Sequence, residues 1–153
     1  MSLCVILILL RVYWGAAIIW GICFVFYGFV GLAFFFSTAK KVTLSNLFLR
    51  ITFYPTLLPF RKSFYFWTKS VNIILKDSTD VERAYSLAEK VNVDNLYTDN
   101  NKAMFYAYLA SLHSDLGNKS FAEKYIQVAR NLPHKKMLDE TINQINEEIT
   151  KSS

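Results

Sequence analysis

From Val12 to Phe36 the chain is an uninterrupted apolar run without a single charged side chain, and nothing else in the sequence restricts the fold as strongly. A helix of that length, rising about 1.5 Å per residue, is long enough to cross a hydrocarbon core of about 30 Å with some tilt. The apolar stretch reaches back to Leu3, broken only by Arg11. Two full spans and a turn do not fit, so one transmembrane helix is expected, with Arg11 reaching toward the nearer interface. A cleavable signal peptide is the rival, since Ser37-Thr38-Ala39 resembles a small-residue cleavage site. The run is far longer than an ordinary signal core, lacks a basic leader and is followed directly by Lys40 and Lys41, so a retained anchor is expected over residues 1–41.

Where the charges sit sharpens this reading. Between Ser37 and Lys76 there are seven basic residues, Lys40, Lys41, Arg50, Arg61, Lys62, Lys69 and Lys76, and no acid. All twelve acids lie from Asp77 onward. A basic excess confined to the stretch beside the apolar run points to anionic lipid, not nucleic acid. The positive-inside rule then places the N-terminus outside and everything after Phe36 in the cytoplasm, as a single-pass integral membrane protein. Within the span, Ala17, Gly21 and Gly28 fall on one helical face and would let another helix, including one from a second copy, approach closely. Trp14, Trp20 and Tyr13 suit an interfacial belt or simply fill the helix. Both cysteines, Cys4 and Cys23, lie in the apolar stretch, which leaves no disulfide framework and no thiolate metal site beyond it.

Residues 42–62 form a basic and aromatic connecting segment. Leu44, Leu47, Phe48 and Ile51 recur at helical spacing, with Ser45, Asn46 and Arg50 toward the other side, until Pro55 and Pro59 end the pattern. An amphipathic helix lying in the membrane interface is expected, with Lys40, Lys41, Arg50, Arg61 and Lys62 facing lipid. The alternatives are a cover for the end of the following domain and a short second span.

Residues 63–150 are helical in pattern throughout. Phe64, Trp67, Val71 and Ile74 make one apolar stripe. Thr79-Asp80-Val81-Glu82 has the form of a capping box ahead of Ala84, Leu87, Ala88 and Val91. A polar loop from Asp94 to Asn101 precedes a helix from Lys102 to about Leu116. Gly117-Asn118 turns the chain into another helix ending near Leu132-Pro133, and Leu138, Ile142, Ile145 and Ile149 line a last one.

Lys102 to Pro133 resembles a tetratricopeptide repeat. Tyr106, Leu109, Ala110 and His113 stand at the large and small packing places of its first helix, Gly117 at its turn, and Ala122, Ile126 and Ala129 at the packing places of its second. One repeat length upstream, Ala84, Ala88 and Val91 fit a second helix, while Thr68, Val71 and Asn72 fit a first only loosely. The expected fold class is therefore all-α: an N-terminal transmembrane helix followed by a small repeat-like stack of helical hairpins. The resemblance implies a ligand groove along the first helix, here Met104, Ala107, Tyr108, Ser111, Ser114 and Asp115. The basic cradle with which some members hold a C-terminal carboxylate is absent from those places.

No metal-ligand spacing, nucleophile elbow or glycine-rich phosphate loop occurs, so no catalytic residue, metal or cofactor is nominated. His113 occupies a core aromatic place, and His134, beside Lys135 and Lys136, reads as a solvated helix start. Asn118-Lys119-Ser120 matches a glycosylation sequon but falls on a helix turn. Binding is the expected function. Either the chain is a membrane-anchored adaptor or scaffold for a protein or peptide partner, or it is a small structural subunit of a membrane complex whose span makes the key contacts.

Overall fold

From residue 28 onward, α-helices follow one another in the computed structural model, which describes residues 13–18, 21, 28–52 and 59–151. They are α1 (Phe29–Thr38), α2 (Val42–Ile51), α3 (Pro59–Lys76), α4 (Val81–Ala88), α5 (Asp99–Asp115), α6 (Lys119–Asn131) and α7 (Lys136–Lys151), with a 3-10 turn at Val93–Asn95. Residues 13–18 are also helical. Each helix packs on the next in sequence, α1 also packs on α3, and α7 on α5.

The expected transmembrane helix is overturned. Among the described residues, no helix is long and apolar enough to cross a membrane. The end of the apolar run is instead core material. It forms α1, whose ten residues rise only about 15 Å, half of a hydrocarbon core. Val30, Ala33 and Ser37 of α1 are buried. Phe34 packs on two rings of α3, edge-on to Phe64 at 5.3 Å and tilted against Trp67 at 4.9 Å. Arg11, Trp20, Cys4, Cys23 and Pro55 lie outside the described residues.

Two apolar clusters hold the remainder. In the first, Trp67 of α3 meets Phe105 of α5 edge-on at 5.3 Å, with Ala84, Ala88, Leu96 and Leu112 buried around them. The second joins α5, α6 and α7 through Ala107, Ala110, Ala122 and Ala129, closed by Ile126, Ile142 and Ile149. Alanines at facing positions bring helix axes close, because no longer side chain holds the backbones apart.

The turns follow local chemistry. Pro59 opens α3 at the first helical position, where its missing N–H costs nothing. The α3–α4 turn is built by Asp77, not by the expected capping box: its carboxylate accepts from the Thr79 hydroxyl at 2.7 Å and the Thr79 N–H at 3.0 Å, and those bonds hold its pKa below the ordinary value. Asp80 occupies the N-cap of α4 without a side-chain cap bond. Helix α5 begins at Asp99, three positions before the expected Lys102, because Thr98 accepts from the Asn101 N–H at 3.1 Å. Gly117 leaves α5 with φ of 74°, a left-handed conformation that glycine adopts without a Cβ penalty.

Candidate docking surface on helix α2

Helix α2 turns Ser45 inward and leaves Thr43 and Arg50 exposed. Ser45 and Leu49, one turn apart, are buried. The Ser45 hydroxyl donates to the Ala33 carbonyl of α1 at 2.7 Å. It accepts from the Asn72 amide of α3 at 2.8 Å, and the same amide donates to Asn46 Oδ1 at 3.0 Å. Serine and asparagine thus latch α2 to both neighbours beside the buried Leu49, and Phe48 stacks on Phe36 of α1 at 5.4 Å. Leu44, Leu47 and Ile51 form an exposed stripe, with Leu47 at 49% exposure.

The last turn of α3 brings Leu75 beside this stripe. Between them is a cavity of about 600 Å³ with Leu44, Leu47 and Leu75 on its walls and the cations Arg50 and Lys76 among its lining residues. A smaller hollow of about 330 Å³ lies on the other side of Arg50, against Tyr65 and Lys69, where the Lys69 ammonium rests 5.7 Å from the Tyr65 ring centre. Lys40, Lys41, Lys62, Lys69 and Lys76 are all exposed. The result is an apolar stripe bordered by cations, drawn from a stretch of chain that holds no acid.

Of the residues expected to face lipid, Lys40, Lys41, Arg50 and Lys62 reach the surface, whereas Arg61 does not. Arg61 is fully enclosed, at 0% exposure. Ser63 is buried as well; its hydroxyl accepts from the Asn92 N–H at 3.2 Å and lies 3.1 Å from the Asn92 carbonyl, which it donates to. Ala17 and Gly21 are exposed, and among the described residues a Cβ built on Gly21 would meet no atom within 4 Å. Gly28 stands half-buried at the N-cap of α1.

Of the groove expected along α5, Ala107 is closed and Tyr108 is engaged by a neighbouring helix. Ala107 is 2% exposed, taken into the alanine contact with α6 and α7, and presents no surface to a ligand. Tyr108 is tied to α3: the Ser70 hydroxyl donates to the Ala84 carbonyl at 2.6 Å, so the Tyr108 phenol, 2.8 Å from it, is the donor to Ser70. Burial pushes the Tyr108 pKa up. Met104, Ser111 and Ser114 are half-buried, and Asp115 is exposed. Partial desolvation, followed by the Glu148 charge on α7, raises the Asp115 pKa.

The two histidines differ. His113 is 5% exposed, stacked on Phe121 and on Tyr125 at 5.3 Å each and edge-on to Tyr85 at 4.9 Å. Neither of its ring nitrogens has a hydrogen-bond partner, and burial lowers its pKa. His134 is not merely solvated: it bridges the Leu132 carbonyl and the Asp139 carboxylate, the latter at 2.8 Å. Those two acceptors, the backbone one first, raise its pKa. Among the described residues, no group of three or more His, Cys, Asp or Glu side chains is placed to hold a metal ion.

The parts of the α2 surface that sequence reasoning missed are Leu75 and the Asn72 latch. No protein-family model, curated protein or solved structure matches the chain.

Proposed function

We propose that the chain is a helical adaptor that docks peripherally on an anionic lipid surface through α2 and the end of α3, and holds its C-terminal hairpins for a protein partner. One observation carries this reading: α2 buries Ser45 against polar atoms of α1 and α3 while Leu44, Leu47 and Ile51 stay exposed, and a row of exposed aliphatic side chains is unlike the outer face of a helix that meets only water. Leu44, Leu47 and Ile51 provide insertion into the headgroup boundary, and Arg50 and Lys76 at the rim, with Lys40 and Lys41 before the helix, provide attraction to anionic headgroups.

The adaptor half of the proposal rests on repeat-like packing. Leu109, Ala110, His113, Ala122, Ile126 and Ala129 are all buried, and Gly117 makes the turn between α5 and α6. This is the disposition that the tetratricopeptide resemblance calls for.

Sedimentation of the full chain with vesicles tests the docking. Binding to phosphatidylcholine vesicles containing phosphatidylserine should exceed binding to phosphatidylcholine alone and should weaken in high salt. Arg50→Ala should lower it about fivefold, near 1 kcal/mol for one cation at such a surface, and Leu47→Glu should lower it further. Equal binding to neutral vesicles, or indifference to both substitutions, would defeat the proposal.

A further inference from the structure

A second cleft lies away from α2, between α4 and the α5–α6 hairpin. Its volume is about 370 Å³, within the range of a ligand site. Its apolar lining comes from Ala88, Val91, Val93, Phe105 and Leu109, and its polar edge from Tyr85, Tyr106, Tyr125 and Glu89. Glu89 is the only charged residue among those that line it.

The electrostatics of Glu89 set this cleft apart. Its carboxylate is exposed and takes part in no ion pair among the described residues. The next residue, Lys90, does not neutralise it, because its ammonium lies over the Phe66 ring, 5.6 Å from the centre. Glu89 is also hydrogen-bonded to the Tyr85 phenol; burial first, then that bond, then the charges of Glu89 and Tyr125 raise the Tyr85 pKa. One carboxylate and three tyrosines thus share the lining of this cleft with its apolar residues.

The ring faces are not the attraction. Tyr125 is stacked on Tyr106 at 5.9 Å and on His113 at 5.3 Å, so both of its faces are taken by neighbouring rings. What remains available is an anion with hydroxyls at the mouth and methyl and methylene groups at the floor. The matching ligand carries one cation on an aliphatic stem, and among protein side chains lysine has that form: a compact charge able to take three acceptors, on a four-carbon chain that packs on apolar surface.

We propose that this cleft receives a lysine side chain of a partner polypeptide, its ammonium on Glu89 and the phenols of Tyr85 and Tyr125, its methylenes along Val91, Val93 and Leu109. The inference rests on the adaptor half of the proposed function and not on lipid docking, so its test is run without vesicles, where the two fail separately.

The probe is Nα-acetyl-lysine N-methylamide, titrated into the full-length protein and followed by the ring resonances of labelled tyrosine. Saturable shifts at Tyr85 and Tyr125 are expected. The norleucine analogue, with the same stem and no charge, should give none at equal concentration. Glu89→Gln should weaken lysine binding about tenfold, the loss of one charge-assisted contact, while Asp94→Asn, which removes an exposed acid beyond the cleft lining, should leave it unchanged. Equal shifts with norleucine, or full affinity in Glu89→Gln with its fold intact by circular dichroism, would overturn the assignment. So would equal weakening in Asp94→Asn, which would reduce the effect to the general charge of the domain.

Discussion

Replacing His113 by phenylalanine should stabilise the protein, and should do so increasingly as the solution is acidified. The imidazole is enclosed, at 5% exposure, and neither nitrogen finds a hydrogen-bond partner. A buried polar group left in that state costs about 1–3 kcal/mol. A phenyl ring keeps the stacking on Phe121 and Tyr125 and removes that cost, so a gain of about 1 kcal/mol at neutral pH is expected, or about 4 °C or more in Tm for a domain near this size. The pH dependence follows from sign. Burial lowers the folded-state pKa from the ordinary 6.5, against a smaller opposing effect of Glu89. Above 6.5 the histidine is neutral in both states and its titration contributes nothing. As pH falls through that value the unfolded chain takes a proton that the folded chain refuses. Stability then drops by about 1.4 kcal/mol per pH unit until the lower folded pKa is reached. His134 works in the opposite sense: its raised pKa stabilises the fold below the ordinary value, and that contribution is lost as pH rises through the folded one. The comparison therefore belongs in a His134→Gln background, with thermal unfolding followed by circular dichroism between about pH 5 and pH 8. A variant no more stable than its parent, or one with the same acid slope, would refute the reasoning.

Ala122→Glu should unfold the α5–α6–α7 region, because Ala122 is fully buried among alanines and an unpaired carboxylate there costs several kcal/mol, about 3–5; loss of cooperative melting checks it. Asn72→Ala should cost about 1–3 kcal/mol by leaving the buried Ser45 hydroxyl without its amide donor, read as a lowered urea midpoint at unchanged helicity.

How much of this was legible in the sequence depended on which residues faced inward. Where a helix buries leucine, alanine and aromatic groups, periodicity located it: Phe64, Trp67 and Val71 on α3, Ala84 and Ala88 on α4, and the alternation of α6 and α7 all appear as expected. Periodicity failed at α2 because it identifies an amphipathic helix without saying which face is inside. Ser45 and Asn46 looked like the wet side, and only the Ala33 carbonyl and the Asn72 amide, from other helices, made them the dry one. It failed at α1 for a related reason. An all-apolar run fits hydrocarbon and protein core equally well, and the Phe34 contacts with Phe64 and Trp67 belong to residues far along the chain. Thr98 was a missed local signal, three residues before Asn101 in the form of an N-cap. Within the candidate surface, Lys40, Lys41, Arg50 and Lys62 were readable as exposed cations. The enclosure of Arg61 and the closure of Ala107 were not, because burial on a helix is set by partners that no local pattern names.

The inward serine and asparagine of α2 also bear on the order in which the fold comes apart. Apolar surfaces resist separation because water gains nothing by entering, whereas a hydroxyl and two amides find equivalent partners in water at once. The seam between α2 and α3 is thus the one along which a sub-global opening costs least, and the alanine seam of α5, α6 and α7 the one along which it costs most. Amide protons of α2 should exchange with solvent through a small local event, while those of α5 and α6 wait for the whole domain to unfold.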